Sequence, residues 1–438
     1  MSNELRAKVV KNFISLSLGQ YGGMLCNIGF SIWLSRLLAP RDFGLLAITL
    51  FYLTFFNWFV EWGWEQGFMA HKEIPLNTAA STHFWIRCTL GLLPLLTFSV
   101  AYPMLRIICT SDKITLLLML AAIYWLEKIG LTYRTILEKN YQLHTLAGLE
   151  FCTVVSSYIV AIIAALNGLG IYSLVLQRLV EKGLISLAYF LVSPWKIGFD
   201  FDLNVAKTFF KTFGIATWLG GIFSLTIYDF MSFLIGMLST TDQAGFYTKA
   251  FSMATFPVML TGIFGRLTVP LYTQYQFNVP EIRNIFVKTQ AIKMILLFPI
   301  QFLMAFYAHI WIPLLIGSQW VPMVPVYQVM TVYGIARAFF DDVPAVYLYG
   351  FKNPWMLTRN QILQSVVIVT LGPLLVYFFQ AFGGAIAISC MLVIAATLFW
   401  KNICTTLECK TSNFMEFFIA LPALTKSYLT ELILKPKT

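Results

Sequence analysis

The chain has 438 residues, of which 58% are apolar and only 11% are Asp, Glu, Lys or Arg, about half the charged fraction of a soluble globular protein. Such a chain cannot cover a water-facing surface, and its apolar runs recur end to end without a polar block that could fold separately. The formal net charge of +10 does not point to nucleic acid, because Lys and Arg are scattered over short loops and not massed on one polar segment.

A hydrocarbon core of about 30 Å needs roughly 20 apolar residues in a helix. In chain order the sequence predicts spans at 13–37, 43–60, 81–105, 114–136, 146–167, 170–192, 208–236, 243–272, 284–312, 320–349, 359–380 and 382–402. The first run follows Arg6, Lys8 and Lys11 but is too long for a signal peptide and lacks a small-residue cleavage site, so it is read as a retained helix. Pro94, Pro257, Pro299, Pro313, Pro325, Pro344 and Pro373 fall inside spans and predict kinks. The tail at 414–434 is apolar but broken by Glu416, Pro422, Lys426 and Glu431, the pattern of an interfacial helix and not a thirteenth span. The seven cysteines, Cys26, Cys88, Cys109, Cys152, Cys390, Cys404 and Cys409, form no C-x-x-C pair and read as packing residues without a disulfide or metal framework.

Cytoplasmic loops carry an excess of Lys and Arg. With the N-terminus inside, eighteen of these residues fall on the cytoplasmic side and only Arg36, Arg41, Arg106 and Lys113 outside. Both termini are therefore expected in the cytoplasm, with an even number of spans.

A faint internal match at an offset of 201 residues pairs 38–44 (LAPRDFG) with 239–245 (STTDQAG), Gly19 with Gly220 and Ser31 with Ser232. The expected fold is an all-α integral membrane protein of about twelve transmembrane helices in two six-helix bundles related by a pseudo-two-fold, around a central cavity. Residues 1–192 would form the N-terminal lobe, 193–207 a polar cytoplasmic linker, 208–402 the C-terminal lobe and 403–438 a cytoplasmic or interfacial tail.

Ionisable residues inside the expected spans include these fourteen: Arg87, Glu127, Lys128, Glu150, Arg178, Glu181, Lys182, Asp229, Lys249, Arg266, Lys293, Arg337, Asp341 and Asp342. Each costs roughly 2.5–3.5 kcal/mol at a helix centre, so they should face a cavity, a partner or the headgroups. Local neutralisation is expected for Arg178, Glu181 and Lys182 and for Arg337 with Asp341, by helical spacing; Arg266, Lys293 and Glu150 sit near cytoplasmic ends and can snorkel. Asp229 and Lys249 flank the seventh hairpin at similar depth and are expected to pair. Eight of the fourteen are basic, which suits an anionic substrate group. Arg87, Lys128, Lys249, Arg266, Lys293 and Arg337 are the candidate substrate-binding cations, and Asp229 and Asp341 the candidate ion-coupling carboxylates.

Four segments stand in order across about 300 residues: LSRLLAPRDFG at 34–44, GLGIYSLV at 168–175, Asp229 followed by LIG at 234–236 and GFYTKA at 245–250, and LIGSQW at 315–320. Together they resemble the polysaccharide transporter family. Tyr172 stands where the family pattern has tryptophan. This family of oligosaccharide flippases lies within the multidrug/oligosaccharidyl-lipid/polysaccharide flippase superfamily, with the multidrug and toxin extrusion proteins.

The resemblance implies an alternating-access flippase that moves an undecaprenyl-pyrophosphate-linked oligosaccharide across the bacterial cytoplasmic (inner) membrane, for O-antigen, capsule or exopolysaccharide. It implies no cofactor beyond coupling to H+ or Na+, no nucleic acid, and a polysaccharide polymerase and chain-length proteins as candidate partners. Family members often carry fourteen helices, more than the twelve expected here. Two competing readings are a drug or cation antiporter, which the basic membrane-embedded balance disfavours, and a membrane glycosyltransferase or polymerase. The latter needs a sizeable outer loop, and no H-E-x-x-H, Walker or nucleophile-elbow pattern occurs; no catalytic residue is expected.

Overall fold

A computed structural model describes residues 22–23, 26–71, 73–108, 111–140, 142–353 and 355–409. Every regular element in them is helical. Six helices are long and apolar enough to cross a bilayer: Pro40–Val60, Leu76–Val100, Ser111–Lys139, His144–Leu166, Val279–Phe306 and Trp355–Thr406. The chain is a multi-pass membrane protein. The beginning of the first expected span, Cys109 and the tail from residue 410 lie outside the described residues.

The elements follow the predicted runs. They are α1 (26–37), α2 (Pro40–Val60), α3 (Trp64–Ala70), α4 (Leu76–Gly91), α5 (Leu93–Val100), α6 (Tyr102–Ile108), α7 (Ser111–Lys139), α8 (Leu143–Leu166) and α9 (Ile171–Val192). After the link come α10 (Leu203–Phe209), α11 (Ile215–Tyr228), α12 (Phe230–Leu238), α13 (Thr241–Thr255), α14 (Thr261–Gln274), α15 (Val279–Phe306), α16 (Ala308–Ile316), α17 (Val324–Phe340), α18 (Asp342–Ala345) and α19 (Trp355–Thr406). Several expected spans are interrupted: the third by breaks before Pro94 and Pro103, the eighth by a 3₁₀ turn at Pro257–Leu260. Proline removes the amide that would bond to i−4 and its ring crowds the preceding turn.

The last two expected spans run together as α19, 52 residues long, yet Gln380 breaks it at φ 53° and ψ −129°. Gly170, at the start of α9, has the same backbone, φ 53° and ψ −129°. Glycine adopts this conformation freely, whereas glutamine carries strain there.

The chain divides into two compact units, Met1–Gly245 with Pro313–Trp320, and Phe246–Ile312 with Val321–Thr438. The division falls after Gly245 and not in the 193–207 link, because α11 and α12 pack on α2. Trp218 stacks on Trp58 with ring centroids 4.9 Å apart, and Phe233 on Phe51 at 4.3 Å.

The turns of the first unit that join α1, α2 and 313–320 have a mechanical reason. Pro40 opens α2, where its missing N–H goes unneeded, and Asp42 accepts a hydrogen bond from the Ala39 amide at 3.1 Å. The last carbonyls of α1 lack helical partners and are met from 313–320: Gln319 donates to Ser35 (2.9 Å) and Leu38 (3.1 Å), and the Trp320 indole donates to Ser35 (2.8 Å). Arg36 in return donates to the carbonyls of Leu314 and Leu315.

The two repeated segments meet here. A Cβ on Gly44 would strike the Thr241 carbonyl, and one on Gly245 would strike the Pro40 carbonyl. Since Gly44 and Gly245, and Pro40 and Thr241, are each 201 residues apart, the contact is reciprocal in sequence.

We expect Gly44→Ala and Gly245→Ala to force these helix starts apart at a cost of about 1–3 kcal/mol. Thermal unfolding of the detergent-solubilised protein reads this out; melting temperatures equal to the parent's would refute the contact.

Candidate functional site

Two apolar layers divide the first unit. One gathers Leu46 and Leu53 of α2, Leu116–Tyr124 of α7, Tyr158–Ala165 of α8 and Leu174–Val175 of α9. The other gathers Phe68, Phe84, Tyr133–Leu137, Leu146, Tyr189 and Trp195. Between them, at mid-height of the same helices, lie the charged residues Arg87, Glu127, Lys128, Arg178, Glu181 and Lys182.

These charges are wired across helices. Glu61, at the end of α2, accepts from Arg87 of α4 at 2.5 Å and from Lys128 of α7 at 3.0 Å, and Glu65 lies 3.6 Å from Arg87. Asn57, one turn back on α2, accepts from Lys128 and from the Tyr124 hydroxyl, both at 2.8 Å. The Lys128 ammonium also sits 4.7 Å from the Tyr124 ring centre, a favourable cation–π distance. On α9, Lys182 bridges Glu127 of α7 at 3.0 Å and Glu181 at 3.4 Å.

Two cavities open on this belt. The first, about 280 Å³, is lined by Asn57, Tyr124, Glu127, Lys128, Arg178 and Lys182 with apolar residues of α2 and α7. The second, about 300 Å³, is lined by Glu127, Arg134, Glu150, Glu181, Lys182 and Tyr189 among others. Glu127 and Lys182 border both.

The second unit handles charge differently. Lys293 and Asp342, 1% and 2% exposed, form a pair at 2.7 Å, with Lys293 also donating to the Ala338 carbonyl and Gln290 to Asp342. Arg337 pairs with Asp341 at 2.7 Å one turn along α17, and Thr261 donates to the same carboxylate at 3.1 Å.

The expected cations are therefore distributed. Arg87 and Lys128 join one cluster, Lys293 and Arg337 belong to separate pairs in the second unit, and Lys249 is buried in α13 of that unit. The side chain of Arg266 lies outside the described residues. Lys293 does not snorkel: Asp342 holds it inside. The expected local triad on α9 is also revised. Lys182 takes both carboxylates, and Arg178 makes no ion pair among the described residues. Asp229 sits at the break between α11 and α12 in the first unit, whereas Lys249 belongs to the second.

Residues 33–325 match the family of polysaccharide biosynthesis proteins. The chain belongs to this family. The teichuronic acid biosynthesis protein TuaB of Bacillus subtilis is 23% identical over 291 residues, 65% of this chain and 60% of TuaB. The chain thus spans about three-fifths of that relative's length. Among solved structures, an inward-facing multidrug resistance MATE family transporter superposes with a TM-score of 0.69 at 14% identity, covering 91% of this chain and 99% of the transporter. The lipid II flippase MurJ gives a TM-score of 0.65 at 13% identity, covering 97% and 94%. The fold is the one these transporters share.

In this family member the sequence reading missed Glu61 and Asn57. Glu61 lies one residue past the expected end of the second span and so was counted with the loop. The four-residue spacing of Asn57 and Glu61 was the available signal, since it sets two polar groups on one face at the end of the helix.

Removing one partner of a buried ion pair strands a charge, at about 3–5 kcal/mol. Asp342→Asn should lower stability by that order, and the double variant Lys293→Met with Asp342→Leu should recover most of it. Denaturation of the purified variants decides the point, and a double variant no more stable than Asp342→Asn would show that the pair is not the cause.

Proposed function

We propose that this chain flips a polyprenyl-pyrophosphate-linked oligosaccharide from the cytoplasmic to the outer leaflet of the bacterial cytoplasmic membrane, by alternating access, for assembly of a surface polysaccharide. The observation that carries the reading is the charged, cavity-bordered belt at mid-height of lipid-spanning helices in a member of a polysaccharide biosynthesis family. Intramembrane charges are expensive and mark pathways for polar cargo. Family membership says which biosynthesis the cargo serves, and the shared transporter fold makes movement, not bond chemistry, the contribution of this chain.

A pyrophosphate needs cationic donors, and arginine and lysine supply them in complementary ways. Of the cations named from the sequence, Lys128 is the one that borders the first cavity; Lys249 serves the second unit. Arg87 acts through Glu61, which it shares with Lys128. Asp229 and Asp341 are the proposed sites of coupling to H+ or Na+, and undecaprenyl is the proposed carrier, handed on to a polymerase with its chain-length partner. The orientation proposed has both termini in the cytoplasm.

The test is genetic and chemical together. Deleting the gene should abolish the surface glycan and accumulate the lipid-linked unit on the inside, with rescue by the parent and poor rescue by Lys128→Gln. Intact surface glycan in the deletion strain, or export of compact organic cations with no effect on glycan, would replace this reading with an antiporter. For coupling, Asp229→Asn should lose the gradient dependence of flipping in proteoliposomes; an unchanged dependence removes Asp229 from the mechanism.

A further inference from the structure

We infer that the first cavity is a diphosphate site and that Arg178 is its anchoring cation. The inference deepens the flippase reading and rests on it.

Three cations border the cavity, and two are already satisfied by carboxylates. Lys128 is held by Glu61 at 3.0 Å, and Lys182 by Glu127 and Glu181 at 3.0 and 3.4 Å. Arg178 is the third. Glu181 lies one helical turn further along α9 and would be its natural partner, yet Lys182 and the Gln177 amide occupy that carboxylate. Among the described residues Arg178 makes no ion pair, and its Nε is buried without a hydrogen-bond partner. A guanidinium left uncompensated inside a lipid-spanning bundle is costly, and an anion in the cavity it borders would relieve that cost.

The neighbouring donors match the same ligand. Asn57 uses only its oxygen in the described bonds, to Lys128 and Tyr124, which leaves its amide N–H groups for an acceptor. The planar guanidinium fork suits two phosphate oxygens at once. Size selects the head group: about 280 Å³ is below the range of pockets that enclose drug-sized ligands, so the space takes a small anion and excludes a sugar repeat. The apolar wall of Leu50, Leu53, Leu120 and Ile123 suits the start of an isoprenoid chain.

The full-length protein, purified in detergent, would be titrated with undecaprenyl pyrophosphate, inorganic pyrophosphate and phosphatidylglycerol, and binding read by native mass spectrometry. The parent should bind undecaprenyl pyrophosphate. Arg178→Gln should weaken binding by about tenfold or more, the scale of one lost charge-assisted contact, with Arg178→Lys intermediate and both variants monodisperse. Inorganic pyrophosphate competing through the same arginine would support the diphosphate site and identify the head group as what is read; binding of the lipid alone would support it with the chain also required. Equal binding by parent and Arg178→Gln would overturn the site and leave the flippase reading intact. Failure of the parent to bind the carrier lipid at all would overturn both, and displacement by phosphatidylglycerol at equal strength would reduce the site to a general lipid contact.

Discussion

Charge compensation inside lipid is the constraint on which the first unit depends. Its helices must be apolar at both heights to build the two cores around Leu120 and Tyr133, yet they carry Glu127, Lys128, Arg178, Glu181 and Lys182 between them. A charge there is costly without a partner, and most of the partners lie on another helix. That requirement explains why the bonds are long-range in sequence: Glu61 reaches Arg87 and Lys128 across 26 and 67 residues. It also explains a polar seam bordered by cavities at the mid-height of otherwise oily helices.

Much of this was legible from residues alone, and the parts that were not share a cause. Hydropathy found the helices because lipid forces every backbone polar group into intrahelical bonds, and an apolar run of bilayer length has one solution. The motif at 38–44 was legible too, since Pro40, Asp42 and Gly44 each do one local job. What sequence spacing could not reveal was partnership across helices. Arg178, Glu181 and Lys182 have ideal spacing for a self-contained triad, yet only Lys182 and Glu181 pair within it: Lys182 also reaches Glu127 on α7, and Arg178 makes no ion pair among the described residues. Lys293 was expected to reach toward headgroups and is held instead by Asp342, 49 residues away. Aromatic pairs such as Trp58 with Trp218 likewise tie α11 to a helix far earlier in the chain.

Two backbone features recur along the chain. One is the reciprocal approach of 40–44 and 241–245, where each glycine admits the other segment's carbonyl. The other is the conformation shared by Gly170 and Gln380, which glycine adopts freely and glutamine only under strain.

The charge chemistry differs between the units. Lys293 with Asp342 and Arg337 with Asp341 are one-to-one, or closed, ion pairs among the described residues, the first between two elements and the second within a turn. In the first unit the groups are shared: Glu61 serves two cations and Lys182 two carboxylates. Breaking a closed pair leaves a bare charge and costs the full desolvation penalty, whereas a shared group can shift toward one partner while the other is taken up by an incoming ligand. An anion arriving beside Arg178 would draw on such sharing, since Lys182 can lean toward it from either of its two carboxylates. On the proposed reading, the shared charges of the first unit are the ones suited to admit and release a charged head group without unfolding.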